Sequence, residues 1–182
     1  WYVVAWKTVS DGPDSRTIAT VAQSAKLETA VREAKSVIRK AFAVPKEKLD
    51  SEHLGWWHKF YEQAAFLTFP DKEIEKFWWF QYYKFASTAR PGKPVVDLQG
   101  VWPTCDTPWP AIWMNLNIQL TYSWLTKVNL GFLEQPLWDA LWKNRDNLTR
   151  NVTDIRGQED WTECRVMPRA SGYDMHAPLS PA

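Results

Sequence analysis

Asn115, Asn117 and Gln119 alternate with Met114, Leu116, Ile118 and Leu120 in the run AIWMNLNIQL. On a helix, residues two apart point to nearly opposite sides, whereas in an extended segment they share a face. The polar row therefore predicts extended backbone at least as far as Asn117. A side-chain amide donates and accepts hydrogen bonds but is no base at neutral pH. Two of them on one face suit either the wet side of a half-buried strand or the grip on one small hydrogen-bonding target.

Few other groups carry chemistry. Asp97, close to Gln99 in a loop, is a candidate carboxylate, although an Asp in a turn commonly bonds nearby backbone. His53 and His58 stand five apart, one more than the spacing of a helical metal pair, and no further ligand pattern adjoins them, so no metal site is expected. Asp139, Asp146 and Glu134 read as solvated charges on polar helix faces. Asn147-Leu148-Thr149 and Asn151-Val152-Thr153 fit the glycosylation pattern. The sequence holds no phosphate loop, nucleophile elbow or Cys-x-x-Cys pair, and no cofactor is expected.

The aromatic content is unusual: 13 Trp, 6 Tyr and 8 Phe in 182 residues. Such rings bury large areas and can carry a core. Sugar-binding clefts use them differently, because an indole face complements the C–H face of a pyranose, and composition does not choose between the two uses. The 24% charged and 45% hydrophobic fractions are those of an ordinary globular chain. The net charge of +1, without long runs of one sign, lacks the footprint of a nucleic-acid binder. No apolar run reaches the roughly 18 residues that a membrane span needs. The chain opens at Trp1 without a basic-then-apolar leader, so an export signal is expected to have been removed or to lie outside these residues. Cys105 and Cys164 could form a disulfide or stand as two buried thiols, and two cysteines do not decide the compartment.

The elements that must position these residues are mostly helical. Tyr2 to Trp6 reads as a short strand, followed by the polar turn DGPDSR. Leu27, Val31, Ala34, Ile38 and Phe42 recur at helical spacing until Pro45. A second helix is expected from Asp50-Ser51 to before Pro70, with Leu54, Trp57, Tyr61, Ala64 and Ala65 on one face. A third opens at Asp71, whose carboxylate caps it, carries Ile74, Phe77, Trp78, Gln81, Tyr82 and Phe85 inward, and stops at Arg90-Pro91-Gly92. In all, helices are predicted over 22–42, 51–66, 71–89, 119–129 and 133–149. Residues 91–114 hold five prolines, two glycines and three tryptophans, and so long an irregular stretch between helices usually builds a binding or catalytic loop. Beyond Asn151 no periodicity is seen. An aperiodic tail of that length suggests part of a larger protein, whose partners in the core are the rest of its own domain or another chain.

Helix pairs joined by long aromatic loops suggest an α/α toroid, and the residues also resemble a family. The runs His53-Leu54-Gly55-Trp56-Trp57-His58-Lys59-Phe60, Tyr82-Tyr83-Lys84-Phe85-Ala86-Ser87-Thr88-Ala89-Arg90-Pro91-Gly92, Leu98-Gln99-Gly100-Val101-Trp102, Pro108-Trp109 and Asn115-Leu116-Asn117-Ile118-Gln119-Leu120-Thr121-Tyr122 carry it. In order and spacing they resemble the start of the catalytic domain of glycoside hydrolase family 95, the inverting α-L-fucosidases and related exo-glycosidases of the six-hairpin (α/α)6 class. Asn129-Leu130 and Glu134-Gln135-Pro136-Leu137 extend the resemblance, which covers roughly residues 53–148. The resemblance implies a mainly α fold, the first hairpins of an (α/α)6 toroid preceded by a short β segment. Residues 1–20 would end a β-domain, 21–50 form a linker helix, 51–150 the first hairpins and 151–182 an irregular tail.

The resemblance further implies a carbohydrate substrate, with Asn115 and Asn117 holding the attacking water beside a carboxylate base. His53, Gln99, Trp102, Trp109 and Trp113 would bind the sugar. Inverting hydrolysis needs a general acid and a base separated by roughly 6.5 to 9.5 Å, and family members supply both from later hairpins. A periplasmic or secreted location goes with such enzymes. Two departures stand out: Asp97 replaces the usual Asn before Leu-Gln-Gly, and Tyr122-Ser123-Trp124 replaces Tyr-Trp-Pro, which suits a sister clade with another sugar. The alternative reading is a non-catalytic carbohydrate-binding or structural helical module. The two diverge on the amides: Asn115 and Asn117 lining a cleft with Trp102, Trp109 or Trp113 would favour the first, and amides bonded only to neighbouring backbone the second.

Overall fold

A two-residue loop, Gly12-Pro13, folds the start of the chain back on itself. Tyr2–Asp11 (β1) and Asp14–Gln23 (β2) pair antiparallel, from Tyr2 opposite Gln23 to Asp11 opposite Asp14. Gly12 sits at φ 60°, an angle that tight hairpin turns demand and that side-chain-bearing residues resist. The computed structural model describes residues 1–98, 100 and 111–176. The second strand corrects the sequence expectation of one short strand and a helix from residue 22. Thr17, Ile18, Thr20 and Val21 are β-branched and extend readily, so the helix begins only at Leu27.

The chain divides into two compact units, Trp1–Tyr61 and Glu62–Ala182. In the first, helix α1 (Leu27–Phe42) buries Ala30, Ala34 and Ile38, a stripe at four-residue spacing, and packs on β1 and β2. Arg16 of β2 donates to the carbonyls of Ala41 (2.9 Å) and Val44 (3.1 Å), tying the strand to the C-terminal end of the helix. Helix α2 (Lys46–Gln63) starts directly after Pro45, earlier than periodicity suggests. Its buried residue is Phe60, stacked on Trp56 at 5.4 Å, whereas Leu54, expected inside, is exposed.

In the second unit, helix α3 (Lys72–Thr88) begins as expected: the Asp71 carboxylate accepts from the N–H groups of Glu73 (2.8 Å) and Ile74 (3.3 Å). Tyr82, Phe85 and Ala86 are buried on it, but Ile74 and Phe77 are exposed. The inner face thus covers only the C-terminal half of the predicted stripe. Two predicted long helices are broken. The span 119–129 becomes helix α4 (Asn117–Tyr122) and a 3-10 turn, Thr126–Val128. The span 133–149 becomes a 3-10 turn, Gly131–Glu134, followed by helices α5 (Gln135–Lys143) and α6 (Arg145–Thr153). Asn144 makes that break: it leaves helical geometry at φ −101°, ψ 14°.

Leu125, Leu130 and Leu133 fill the centre of this unit and are fully buried. A short ladder closes it, strand β3 (Ile112–Trp113) pairing antiparallel with β4 (Ala170–Ser171). Among the described residues no helix is long and apolar enough to cross a membrane. Among the described residues, six helices and two two-stranded sheets make the chain rich in helix.

Candidate functional site

Extended backbone stops at Trp113, four residues short of the sequence expectation. Hydrogen bonds around Met114 give the physical reason. Its N–H donates to the carbonyl of Arg169 (2.9 Å), the last link to the β4 side. Its own carbonyl accepts from Leu116 N–H (3.2 Å) and from the Gln119 side chain (2.6 Å), which wraps the chain into a turn. Gln119 therefore leaves the polar row and serves the backbone. Leu116 is held at φ 79°, ψ −45°, a conformation that costs a bulky L-residue about 1–3 kcal/mol. Helix α4 starts at the next residue.

Asn115 and Asn117 flank this strained residue. Asn115 is exposed and Asn117 half-buried. Neither side-chain amide makes a hydrogen bond within the described residues, although the Asn117 carbonyl accepts from the Thr121 hydroxyl (2.8 Å). Among the described residues the amides are thus not consumed by neighbouring backbone, while Trp102 and Trp109, the tryptophans expected to share a cleft with them, lie outside those residues. Trp113 lies immediately before the turn, half-buried, with the Arg169 guanidinium 5.5 Å over its ring.

The other expected site residues fall elsewhere. Gln99, Trp102 and Trp109, and with them Cys105, lie outside the described residues; Cys164 is exposed. His53 belongs to the first unit, exposed on α2 with its ring edge-on to Trp57 at 6.4 Å. Asp97 organises its loop: one carboxylate oxygen accepts from Gly100 N–H at 2.7 Å, the local bonding expected of an Asp in a turn. Tyr173 donates its hydroxyl to the same carboxylate, and burial first, then the Asp97 charge, raises its phenol above the usual range.

Beside Asp97 opens a cleft of about 500 Å³, walled by Trp78, Tyr82, Phe85 and Trp124 and edged by Gln81, Lys84, Thr88 and Thr121. Trp124 stacks on Tyr82 at 5.6 Å and donates its indole N–H to Thr121 O (2.9 Å). Neither Asn115 nor Asn117 is among the described lining residues, but Thr121 joins the two features by holding the Asn117 carbonyl. Sequence reasoning misses this cleft as a site. Gln81, Lys84 and Thr88, at helical spacing among aromatics on α3, were its available signal. Burial pushes the Tyr122 phenol up to about 12, although its oxygen accepts Val96 N–H at 2.9 Å. Among the described residues, no three His, Cys, Asp or Glu side chains are grouped closely enough to hold a metal.

The arrangement offers two amides, unengaged among the described residues, on a strained strand-to-helix turn that Thr121 joins to an aromatic cleft of a size suited to a small molecule. No curated protein and no solved structure matches the chain. The glycosyl hydrolase family 95 catalytic domain matches residues 58–169. The match extends past residue 148, where the sequence resemblance ends, and so takes in α6 and part of the stretch first read as an irregular tail. Covering more than half of the chain, and including the strained turn with both asparagines, it places the chain in glycosyl hydrolase family 95, a family of glycosidases.

Proposed function

We propose that this chain contributes to an inverting exo-glycosidase of the α-L-fucosidase type, removing a terminal sugar from oligo- or polysaccharides. Asn115 and Asn117 hold and polarise the attacking water. The observation that supports this most directly is Leu116 at φ 79° between two amides that make no side-chain hydrogen bond among the described residues, since strain of that kind persists where surrounding structure holds it for function. Amides do not accept the proton, so a carboxylate base and a general acid complete the site. By the resemblance they come from later hairpins of an (α/α)6 toroid. The exposed Phe77 and Phe80 of α3 and Trp138 and Trp142 of α5 suit helices that pack against such hairpins. Gln99, Trp102, Trp109 and Trp113 are the proposed sugar contacts, and a periplasmic or secreted location is part of the same reading.

The test is kinetic, in the enzyme that contains this chain. Asn115→Ala or Asn117→Ala should lower kcat on an aryl α-L-fucoside by more than it raises KM, because a misplaced water costs most in the transition state. Proton NMR of the first-formed sugar should show inverted anomeric configuration. Unchanged kcat with a lowered melting temperature would make the two asparagines structural and overturn the reading.

A further inference from the structure

Three asparagines, Asn144, Asn147 and Asn151, stand three and four apart at the start of α6 and along it, and so share one face. Their side-chain N–H groups donate to three successive carbonyls: Asn144 to Tyr173, Asn147 to Asp174 and Asn151 to Met175, each at 2.9 Å. Successive carbonyls of an extended chain point to alternate sides, so presenting all three to one helix requires an irregular backbone. Met175 supplies it, at φ 55° with its side chain fully buried. Asn151 also donates to the carbonyl of Val166 (3.0 Å), and Val166 N–H donates to Leu148 O (3.0 Å). The segment 166–175 is therefore fastened to α6 at both ends.

Between those fastenings lie Ala170 and Ser171, the strand that pairs with Ile112 and Trp113, and Arg169, whose carbonyl receives Met114 N–H. The next residue is Asn115. We propose that Asn144, Asn147 and Asn151 are positioning residues that fix segment 166–175 and, through the β4–β3 ladder, set the backbone from which Asn115 and Asn117 are presented. The catalytic part of this inference rests on the reading of those two asparagines as water-holding groups. The mechanical part stands on the hydrogen bonds alone. Each clamp asparagine gives a neutral donor to a neutral carbonyl, so Asp, of the same shape but without a donor when ionised, breaks the clamp with little change of volume.

Amide hydrogen exchange of this chain tests it. In Asn147→Asp/Asn151→Asp, exchange at Ile112 and Met114, whose N–H groups face β4, should quicken by about 10- to 100-fold, the loss of one or two hydrogen bonds, while α3 keeps its rates. Unchanged exchange at Met114, or equal acceleration in α3, would overturn the clamp; where the double variant does not fold, each single variant is read in the same way. In the enzyme containing this chain the same variants should lower kcat with KM nearly held. A full kcat beside quickened exchange overturns the positioning role. Should Asn115→Ala itself leave kcat unchanged, the water-holding reading falls, and exchange at Met114 still decides the clamp separately.

Discussion

The Tyr122 hydroxyl accepts the backbone N–H of Val96 at 2.9 Å, joining α4 to the loop that follows α3. Because burial pushes this phenol up to about 12, folding favours its neutral form. The associated stability is complete below the ordinary tyrosine value near 10 and is lost as pH rises from about 10 to about 12. Denaturant unfolding at pH 8 and pH 12 should differ by about 2–3 kcal/mol from this group. Tyr122→Phe should reduce that difference and cost about 1 kcal/mol at pH 8, where Val96 N–H loses its acceptor. Tyr82 and Tyr173 are displaced in the same direction and will retain part of the slope. An identical pH dependence in the Phe variant would contradict the assignment.

Asn115→Asp and Asn117→Asp should impair the enzyme rather than improve it. A negative charge beside the base raises the pKa of that base, so the acidic limb of the pH–rate profile should move upward while kcat falls. A faster enzyme with an unmoved profile would show that no base works beside these residues.

Leu116→Gly separates strain from stability. Glycine accepts φ 79° without steric cost, and the leucine side chain is 63% exposed, so little buried surface is lost. The melting temperature should hold or rise slightly, the greater freedom of the unfolded glycine offsetting part of the relief. Turnover should drop roughly tenfold or more as the two asparagines lose their fixed geometry. Full turnover would mean that the strained angle does not serve catalysis.

Residues 1–182 by themselves should not turn over an aryl α-L-fucoside at a useful rate. Each positioned acid or base typically contributes about 10²- to 10⁴-fold, and on the proposed reading both come from later hairpins of the toroid. Turnover by the purified chain, abolished by Asn117→Ala, would place the whole machinery inside it.

Expressed in a glycosylating host, Asn151 should remain unmodified. Its amide donates to both Val166 O and Met175 O, and a glycan on that nitrogen would break one of the two bonds. Peptide mass spectrometry showing an occupied Asn151 in folded protein would contradict the clamp geometry.

Capping and apolar spacing made α1 and α3 legible in the sequence, since Asp71 and the Leu27, Val31, Ala34, Ile38 and Phe42 spacing act over one or two turns, although Leu27 is exposed and Ala30 is buried in its place. The second hairpin strand was readable in principle from Gly12-Pro13 and the β-branched run that follows. The turn at Met114 was not. Alternation of Asn115, Asn117 and Gln119 mimics a strand, and what bends the chain is the carbonyl of Arg169, remote in sequence. Periodicity sees near neighbours only, so a strand ended by a distant partner is invisible to it. The asparagines of α6 were read as glycosylation triplets for the same reason: their partners are carbonyls, which leave no trace in side-chain pattern.

That distance has a kinetic consequence. The β1–β2–α1 unit is held by contacts between near neighbours in sequence, which form quickly because little chain must be closed into a loop. The ladder between Ile112–Trp113 and Ala170–Ser171, like the bond from Asn129 to Gln63 O across 66 residues, closes long loops and forms late. On a ribosome the chain reaches Met114 well before Arg169 exists to receive it. The turn bearing Asn115 and Asn117 is therefore among the last features to be built, and a nascent chain halted before Arg169 would carry both asparagines without the shape that presents them.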